Sequence, residues 1–323
     1  MGVIAWVTGA VLVGVAAAAP AALAADPTEV RVAYSSIVPE SLIVKERGWI
    51  EQALAPKGIK VKWIESLGSN KTIEFLRGKS LDVGTSSLAS AFLARANGTP
   101  IRYVYWTARQ NTGSPILVRD GAPYKSLAEL KGKKIAATPG TGPYISLIAS
   151  LQNNGLSPTD VEIVSLQHPQ GRLALATGRV EAWAGLDPDW AIAEIENKAR
   201  VLYAAPELAG GGGLDVRDDF LAEHPDLVRA VLDGFERGRL YAIEHRSEAA
   251  AAFAETSKID PKVAELVLAR NDTSRPAVVD GDLAALVAWG KLYKQLGSIE
   301  AATDIEAVAR EVLDTQTFKL TAK

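Results

Sequence analysis

Four turns concentrate Ser, Thr, Gly and Asn where a strand-like segment runs into a helical one. They are Pro39-Glu40-Ser41, Gly68-Ser69-Asn70-Lys71-Thr72, Gly84-Thr85-Ser86-Ser87 and Pro139-Gly140-Thr141-Gly142-Pro143-Tyr144. Each such turn reads either as a plain cap or as a set of backbone N–H groups presented at a helix N-terminus, and an end of the second kind is a ready anion site. Lys71 can add a full positive charge to the second turn. Gly140-x-Gly142 shares two glycines with a dinucleotide fingerprint, but Ile145 stands where the third belongs, so the turn reads better as an anion cradle.

The chain offers little covalent chemistry. It has no Cys, which excludes a thiol nucleophile, an iron–sulfur cluster and any Cys-ligated zinc site. Its three His residues, His168, His224 and His245, have no metal-ligand spacing. His168 sits beside Pro169 in a polar segment and reads as a solvated loop residue. His224 precedes Pro225 as part of a cap, and His245 belongs to a charged helical face. There is no Gly-x-Ser-x-Gly elbow, no P-loop and no His-Glu-x-x-His. The sequence implies no enzyme activity, no cofactor and no metal. With 35 Lys+Arg against 38 Asp+Glu, it gives no reason to expect nucleic acid as a partner.

The elements that position these turns alternate along the chain. Strand patterns cover Val30 to Tyr34, Ile59 to Trp63, Leu81 to Gly84, Ile101 to Ala108, Ile116–Val118, Lys134–Ala137, Val161–Leu166, Glu181–Leu186 and Arg200–Ala204. Helical patterns lie between most of them, and Ser126-Leu127-Ala128-Glu129 has the form of a capping box. Beyond residue 224 the pattern is almost wholly helical. This order predicts an α/β fold with largely parallel sheets. The segments Asn111-Thr112-Gly113-Ser114-Pro115 and Gly210-Gly211-Gly212-Gly213 read as two crossings between domains, since glycine permits the excursions of a hinge. Residues 1–25 carry no charge and end in Ala22-Leu23-Ala24-Ala25, which reads as a secretory signal peptide with an Ala-x-Ala cleavage site. It lacks the usual leading Lys or Arg, as a start Met assigned too far downstream would explain.

Several segments resemble one family. Ser126-Leu127-Ala128-Glu129-Leu130-Lys131-Gly132-Lys133-Lys134-Ile135-Ala136 is similar to the Leu-Lys-Gly-Lys segment of periplasmic solute-binding proteins. So are Leu81-Asp82-Val83-Gly84, Gly178-Arg179-Val180-Glu181-Ala182-Trp183, Asp187-Pro188-Asp189-Trp190 and His224-Pro225-Asp226-Leu227-Val228. Together they resemble the substrate-binding subunits of ABC importers for nitrate, sulfonate and taurine, most closely the aliphatic-sulfonate type.

The resemblance implies a bilobed periplasmic-binding-protein type 2 fold, with two α/β domains joined by two hinge strands. Lobe 1 would comprise residues 26–113 and 212–323, and lobe 2 residues 114–211. The mature protein would be a periplasmic monomer that captures a small organic anion, an alkane- or arylsulfonate, and delivers it to the membrane permease of an ABC transporter. Carried over by position, the ligand would meet Glu40, Ser41, Asn70, Lys71, Ser86, Ser87 and Trp106 from lobe 1. Thr141, Gly142, Tyr144 and Asp187 would face them from lobe 2. Glu40 stands where relatives carry a small or neutral polar residue, so it either points to solvent or meets a positive group on the ligand. Other readings of the same fold are a binder of nitrate, an aromatic carboxylate, taurine or a thiamine-like heterocycle. From a different class come a ligand-sensing module and an enzyme resembling those that make the thiamine pyrimidine, whose Cys-rich iron site this chain lacks.

Overall fold

The computed structural model describes residue 2 and residues 27–110, 113–205, 208 and 210–319. The predicted signal peptide, apart from residue 2, and the predicted crossing residues Asn111 and Thr112 lie outside the described residues.

Two five-stranded sheets organise the chain. The first contains β1 (Glu29–Tyr34), β2 (Lys60–Glu65), β3 (Val83–Ser87), β4 (Ile101–Gln110) and β10 (Gly210–Arg217), in the order β2-β1-β3-β10-β4. The second contains β5 (Ile116–Val118), β6 (Lys134–Ala137), β7 (Glu162–Ser165), β8 (Ala182–Ala184) and β9 (Arg200–Tyr203), in the order β7-β6-β8-β5-β9. Each sheet has the same plan. Parallel strands flank one antiparallel strand in fourth place, β10 in one and β5 in the other. Each antiparallel strand is the first strand after the chain passes from one sheet to the other. The expectation of largely parallel sheets therefore fails at these two strands, whose direction is set by long-range pairing that a local pattern does not encode.

Helices cover both faces of each sheet. Against the first lie α1 (Pro39–Arg47), α2 (Trp49–Leu54), α3 (Ser69–Arg77), α4 (Leu88–Ala96), α8 (Asp218–Glu223), α9 (Pro225–Glu244), α10 (Arg246–Ser257), α11 (Pro261–Arg270), α12 (Leu283–Gln295) and α13 (Ile305–Val312). Against the second lie α5 (Gly142–Asn153), α6 (His168–Ala176) and α7 (Asp189–Ile195). Val30, Val32, Ile50, Val228 and Phe235 build the core on one face of the first sheet. Phe92, Tyr103, Trp289 and Tyr293 build it on the other. Ile135, Leu147 and Leu151 pack on one face of the second sheet, and Trp183 with Leu175 on its reverse.

A further apolar cluster joins the two bodies. Leu42 of α1 and Val263 and Val267 of α11 pack against Ala191 and Ile192 of α7.

One local expectation is corrected. Ser126 makes no side-chain cap, and residues 127–130 form one 3-10 turn, with Glu129 accepting from the Lys125 N–H at 2.7 Å. Gly210 to Gly213, read as a crossing, is the paired start of β10. A Cβ at Gly213 would overlap the Tyr105 carbonyl and the Tyr103 ring, so glycine here serves close strand packing.

Candidate functional site

A cavity of about 430 Å³ opens between the two bodies, at the ends of the strands where they enter helices. That volume suits a small organic ligand. Its wall takes Glu40, Gly68, Ser69, Ser86, Ser87, Trp106 and Arg109 from the first body, and Gly142, Ser146, His168 and Asp187 from the second.

The turn sequences explain the wall. Four helices begin here with no side chain capping the backbone: α1 after Val38, α3 after Gly68, α5 after Thr141 and α6 after Gln167. In α3 the first intrahelical bonds are made by Lys71 and Thr72 to the Gly68 carbonyl, which places the Ser69 and Asn70 N–H groups ahead of the ladder. Three of these ends converge. A Cβ on Gly68 would lie 3.6 Å from His168 Nε2, and one on Gly140 would lie 3.4 Å from Asn70 Cβ. One on Gly142 would lie 3.4 Å from Ser87 Oγ, and Ser90 Oγ donates to the Gly140 carbonyl at 3.1 Å. Converging helix N-termini form an electropositive centre without a formal charge.

Of the residues singled out from sequence, Glu40, Ser86, Ser87, Trp106, Gly142 and Asp187 lie together on the cavity wall. Ser87 also caps α4, accepting from the Ser90 N–H at 3.2 Å. The other five stand behind or beside the wall. Ser41 is fully buried, with its hydroxyl donating to the Val38 carbonyl at 2.6 Å. Thr141 likewise donates to the Thr138 carbonyl at 2.7 Å. Asn70 turns its buried Oδ1 back toward Gly68. Lys71 lies at the surface, paired with Glu74 at 2.7 Å. Tyr144 packs as a half-buried ring between the cores of the two bodies.

Sequence reading missed several wall residues. His168 is corrected from a solvated loop residue to a buried one, 1% exposed, at the start of α6. Gly68 of the other body closes over its ring. Arg109 was not singled out. It pairs with Asp282 at 2.7 Å, donates to the Ala277 and Arg275 carbonyls, and lies 4.1 Å over the Trp106 ring. The Trp106 indole N–H completes this cluster by donating to Asp282 at 3.0 Å. The wall there comes from residues 271–289, of which 271–282 are irregular chain and a 3-10 turn and not the helix expected beyond residue 224. Ser35 and Ser69 also line the cavity, and their only sequence signal is a place within or beside the small-residue turns.

Burial sets the electrostatics. Glu40 does not point to solvent: it is 4% exposed, and burial pushes its carboxyl well above the usual carboxylate range, against the pull of Arg239. Burial also raises Asp187 to about 6, although Arg270 donates to its Oδ1 at 3.2 Å and the Ala191 N–H at 3.0 Å. His168 is lowered to about 4 by the same desolvation, so its imidazole is neutral near pH 7. Behind Ser86, Asp215 is raised to about 8 by burial. Among the described residues, no cluster of three His, Asp or Glu could hold a metal ion.

The chain is similar to known proteins along most of its length. A proposed aliphatic sulfonates-binding protein of Bacillus subtilis (strain 168) is 28% identical over 282 residues, which is 87% of this chain and 85% of that one. The alkanesulfonate-binding protein SsuA of Xanthomonas axonopodis pv. citri, solved bound to MOPS, superposes with a TM-score of 0.80 at 24% identity, over 88% of this chain and 99% of that one. The fold is not confined to binding proteins: the desulfurization enzyme DSZB superposes with a TM-score of 0.60 at 15% identity, over 88% of this chain and 99% of that one. The sequence profile described as NMT1/THI5 like matches residues 42–249. That match spans well over half of the chain, on the periplasmic-binding-protein architecture already built from its two sheets, and the chain belongs to the NMT1/THI5-like family.

Proposed function

We propose that the protein is an exported solute-binding protein. It captures a small organic sulfonate in the cleft between lobe 1 (residues 26–113 and 212–323) and lobe 2 (residues 114–211), and delivers it to the membrane permease of an ABC transporter. The observation that carries this reading is the convergence of uncapped helix N-termini from both bodies on one cavity of about 430 Å³. An anion held there replaces its water shell with preorganised N–H donors, and charge-assisted bonds of that kind are about twice as strong as neutral ones. Because donors come from both bodies, the closed arrangement binds the anion better than an open one, and only such differential binding drives closure. The reading needs no bond-making step. The relatives' named ligands and the predicted signal peptide point the same way.

The test is a thermal-shift series with alkanesulfonates, arylsulfonates, nitrate, aromatic carboxylates and thiamine-like compounds. A ligand confined to the folded state stabilises it by about 2.7 kcal/mol at a hundredfold excess over its Kd. A shift with sulfonates and not with chain-matched carboxylates is expected. A response only to a heterocycle, or to no anion, overturns the sulfonate reading.

A further inference from the structure

Three polar side chains share one face of the first sheet, directly behind the cavity wall. Ser86 of β3 lies opposite Gly213 of β10, while Asp215 of β10 lies opposite Gly84 of β3 and Tyr103 of β4. Side chains alternate along a strand, so Ser86, Asp215 and Tyr103 point to the same side. Ser86 and Asp215 are diagonal neighbours across the strand pair and within reach of each other. Glycine at 84 and 213 keeps the space between them open, and Tyr103 Oη enters it, 2.2 Å from where a Gly213 Cβ would stand. Ser86 is on the cavity wall, whereas Asp215 and Tyr103 are fully buried.

This cluster does not balance without a proton on Asp215. Neither Asp215 oxygen has a hydrogen-bond partner, and neither has Tyr103 Oη. The Ser86 hydroxyl pulls on the carboxyl, but its hydrogen goes to the Ser87 carbonyl at 3.2 Å. No cation faces the group. From α3, Thr72 packs over Gly84 with its hydroxyl 2.7 Å from Ser66 Oγ. The one ionisable side chain of α4, Arg95, is held by Asp218 and Glu311. Beyond Tyr103, Arg109 and Asp282 pair with each other. Tyr103 keeps its own proton, because burial and the nearby Asp215 push its hydroxyl well above the usual range. A buried carboxylate without a counter-charge takes up a proton, and burial raises this one to about 8. The protonation state then sets the Ser86 hydroxyl. A protonated carboxyl can donate to Ser86 Oγ, which leaves the hydroxyl hydrogen free for the cavity side. An ionised carboxylate only accepts, and it draws that hydrogen away from the cavity.

We propose that Asp215 is a positioning residue of the anion site: as a carboxylic acid it holds Ser86 Oγ from behind and so aims the Ser86 hydroxyl hydrogen at the bound anion. This rests on the anion reading above, though not on which anion is bound. The Asp215 proton is then a component of the complex. When it leaves, the site loses a donor and gains a buried negative charge behind its wall.

Calorimetry with hexanesulfonate and benzenesulfonate between about pH 6.5 and 9.5 tests the proposal on the purified protein, since neither probe titrates there. In the wild type, affinity should be level to about pH 7.5 and then fall, approaching about tenfold per pH unit, because binding must restore the Asp215 proton. Titrations in two buffers of different ionisation enthalpy should read that uptake, rising toward about one proton per ligand. Asp215→Asn keeps a donor for Ser86 Oγ in its amide, so it should retain the affinity of the wild type at pH 6.5, hold it to pH 9.5 and take up no proton. Ser86→Ala should bind about tenfold more weakly at pH 6.5, as the loss of a hydrogen bond to a charged group predicts, and its pH dependence should shrink. A level wild-type profile overturns the proposal, as does a fall that persists in Asp215→Asn. A slope in Ser86→Ala as steep as in the wild type overturns the route through Ser86. The wild-type profile and proton count need no variant, so a misfolded Asp215→Asn protein does not decide the outcome. Sulfonate binding with a level profile overturns the positioning role alone. If neither sulfonate binds at pH 6.5, the sulfonate reading falls, and the same series with nitrate and benzoate reads the role of Asp215. If no anion binds at any pH, both fall.

Discussion

Removing the Arg270 guanidinium should loosen the closed form, and the loss should depend on pH in a defined direction. Arg270 ends α11 in the first body and reaches across the cleft. It is 3.2 Å from Asp187 Oδ1, paired with Glu194, and 3.7 Å over the Trp190 ring, all in the second body. Arg270→Met keeps the apolar stem and removes the charge. Stripping one partner from a fully buried ion pair costs about 3–5 kcal/mol. Here the Arg270 side chain is 22% exposed and Glu194 24%, so water screens part of the change. A cost of roughly 1–3 kcal/mol to the closed form follows, which is about 5- to 150-fold in ligand affinity.

Asp187 decides the pH dependence. Its carboxyl is raised to about 6 in the closed form, so that form binds the proton more tightly than an open, solvated one near 3.9. Closure is therefore favoured as pH falls through about 6 and weakened as pH rises from about 4 to above 6. Without Arg270 the carboxyl rises further, and the variant can escape the cost only by protonation. Affinity for a sulfonate, which does not titrate in this range, should fall for Arg270→Met at pH 7.5 and recover much of the difference at pH 5.5. Calorimetry at both pH values, with small-angle scattering to follow closure, measures this. A variant-to-wild-type affinity ratio equal at the two pH values refutes the reasoning.

Three further outcomes follow from the packing and charges. Gly185→Ala places a Cβ into the Trp183 ring, which is fully buried behind the second sheet, so it should cost roughly 1–3 kcal/mol in denaturant melts; an unchanged midpoint refutes the close packing. Lys71→Ala should change sulfonate affinity less than about twofold, because the lysine is 42% exposed and paired with Glu74 at the surface; a tenfold loss places its ammonium on the ligand. Asp215 is raised to about 8, so the folded state holds its proton and stability falls as pH rises from about 4 through about 8. Asp215→Asn should flatten the slope of roughly 1.4 kcal/mol per pH unit between pH 5 and 8. Urea melts at pH 5, 6.5 and 8 read it, and parallel wild-type and variant profiles refute it.

The strands and helices were legible where an unbroken apolar run or a Pro or Gly at the end marks them. Ile116–Val118 and Lys134–Ala137 fall where the apolar pattern places them, and Pro and Gly mark the limits of α1 and α3. The sequence pattern predicts the third strand over Leu81 to Gly84, and it runs from Val83 to Ser87. Thr85, Ser86 and Ser87 are polar, and they are extended because Leu214, Gly213 and Gly212 pair with them across the sheet. That partner lies over a hundred residues away, and no local window contains it. His168 illustrates the same limit at the site. Its neighbours in sequence are polar, but the loop that buries it comes from Gly68 in the other body. Glu40 was legible as a position and not as an environment: burial against α9 and the sharing of Arg239 with Glu236 are facts of the third dimension.

These facts bear on why closure should require a ligand. The starts of α3, α5 and α6 meet across one cavity, and each carries about half a positive charge on its unmatched N–H groups. Brought together empty, these ends oppose one another, while the apolar seam of Leu42, Val263 and Ile192 and the Arg270 contacts draw the bodies together. Those opposing terms are each a few kcal/mol at most, which leaves the open and closed forms close in energy. An anion between the ends reverses the sign of the first term, because each end now attracts the charge the others also attract. The anion thus acts on one equilibrium from both bodies, because the helix N-termini that would hold it belong to each.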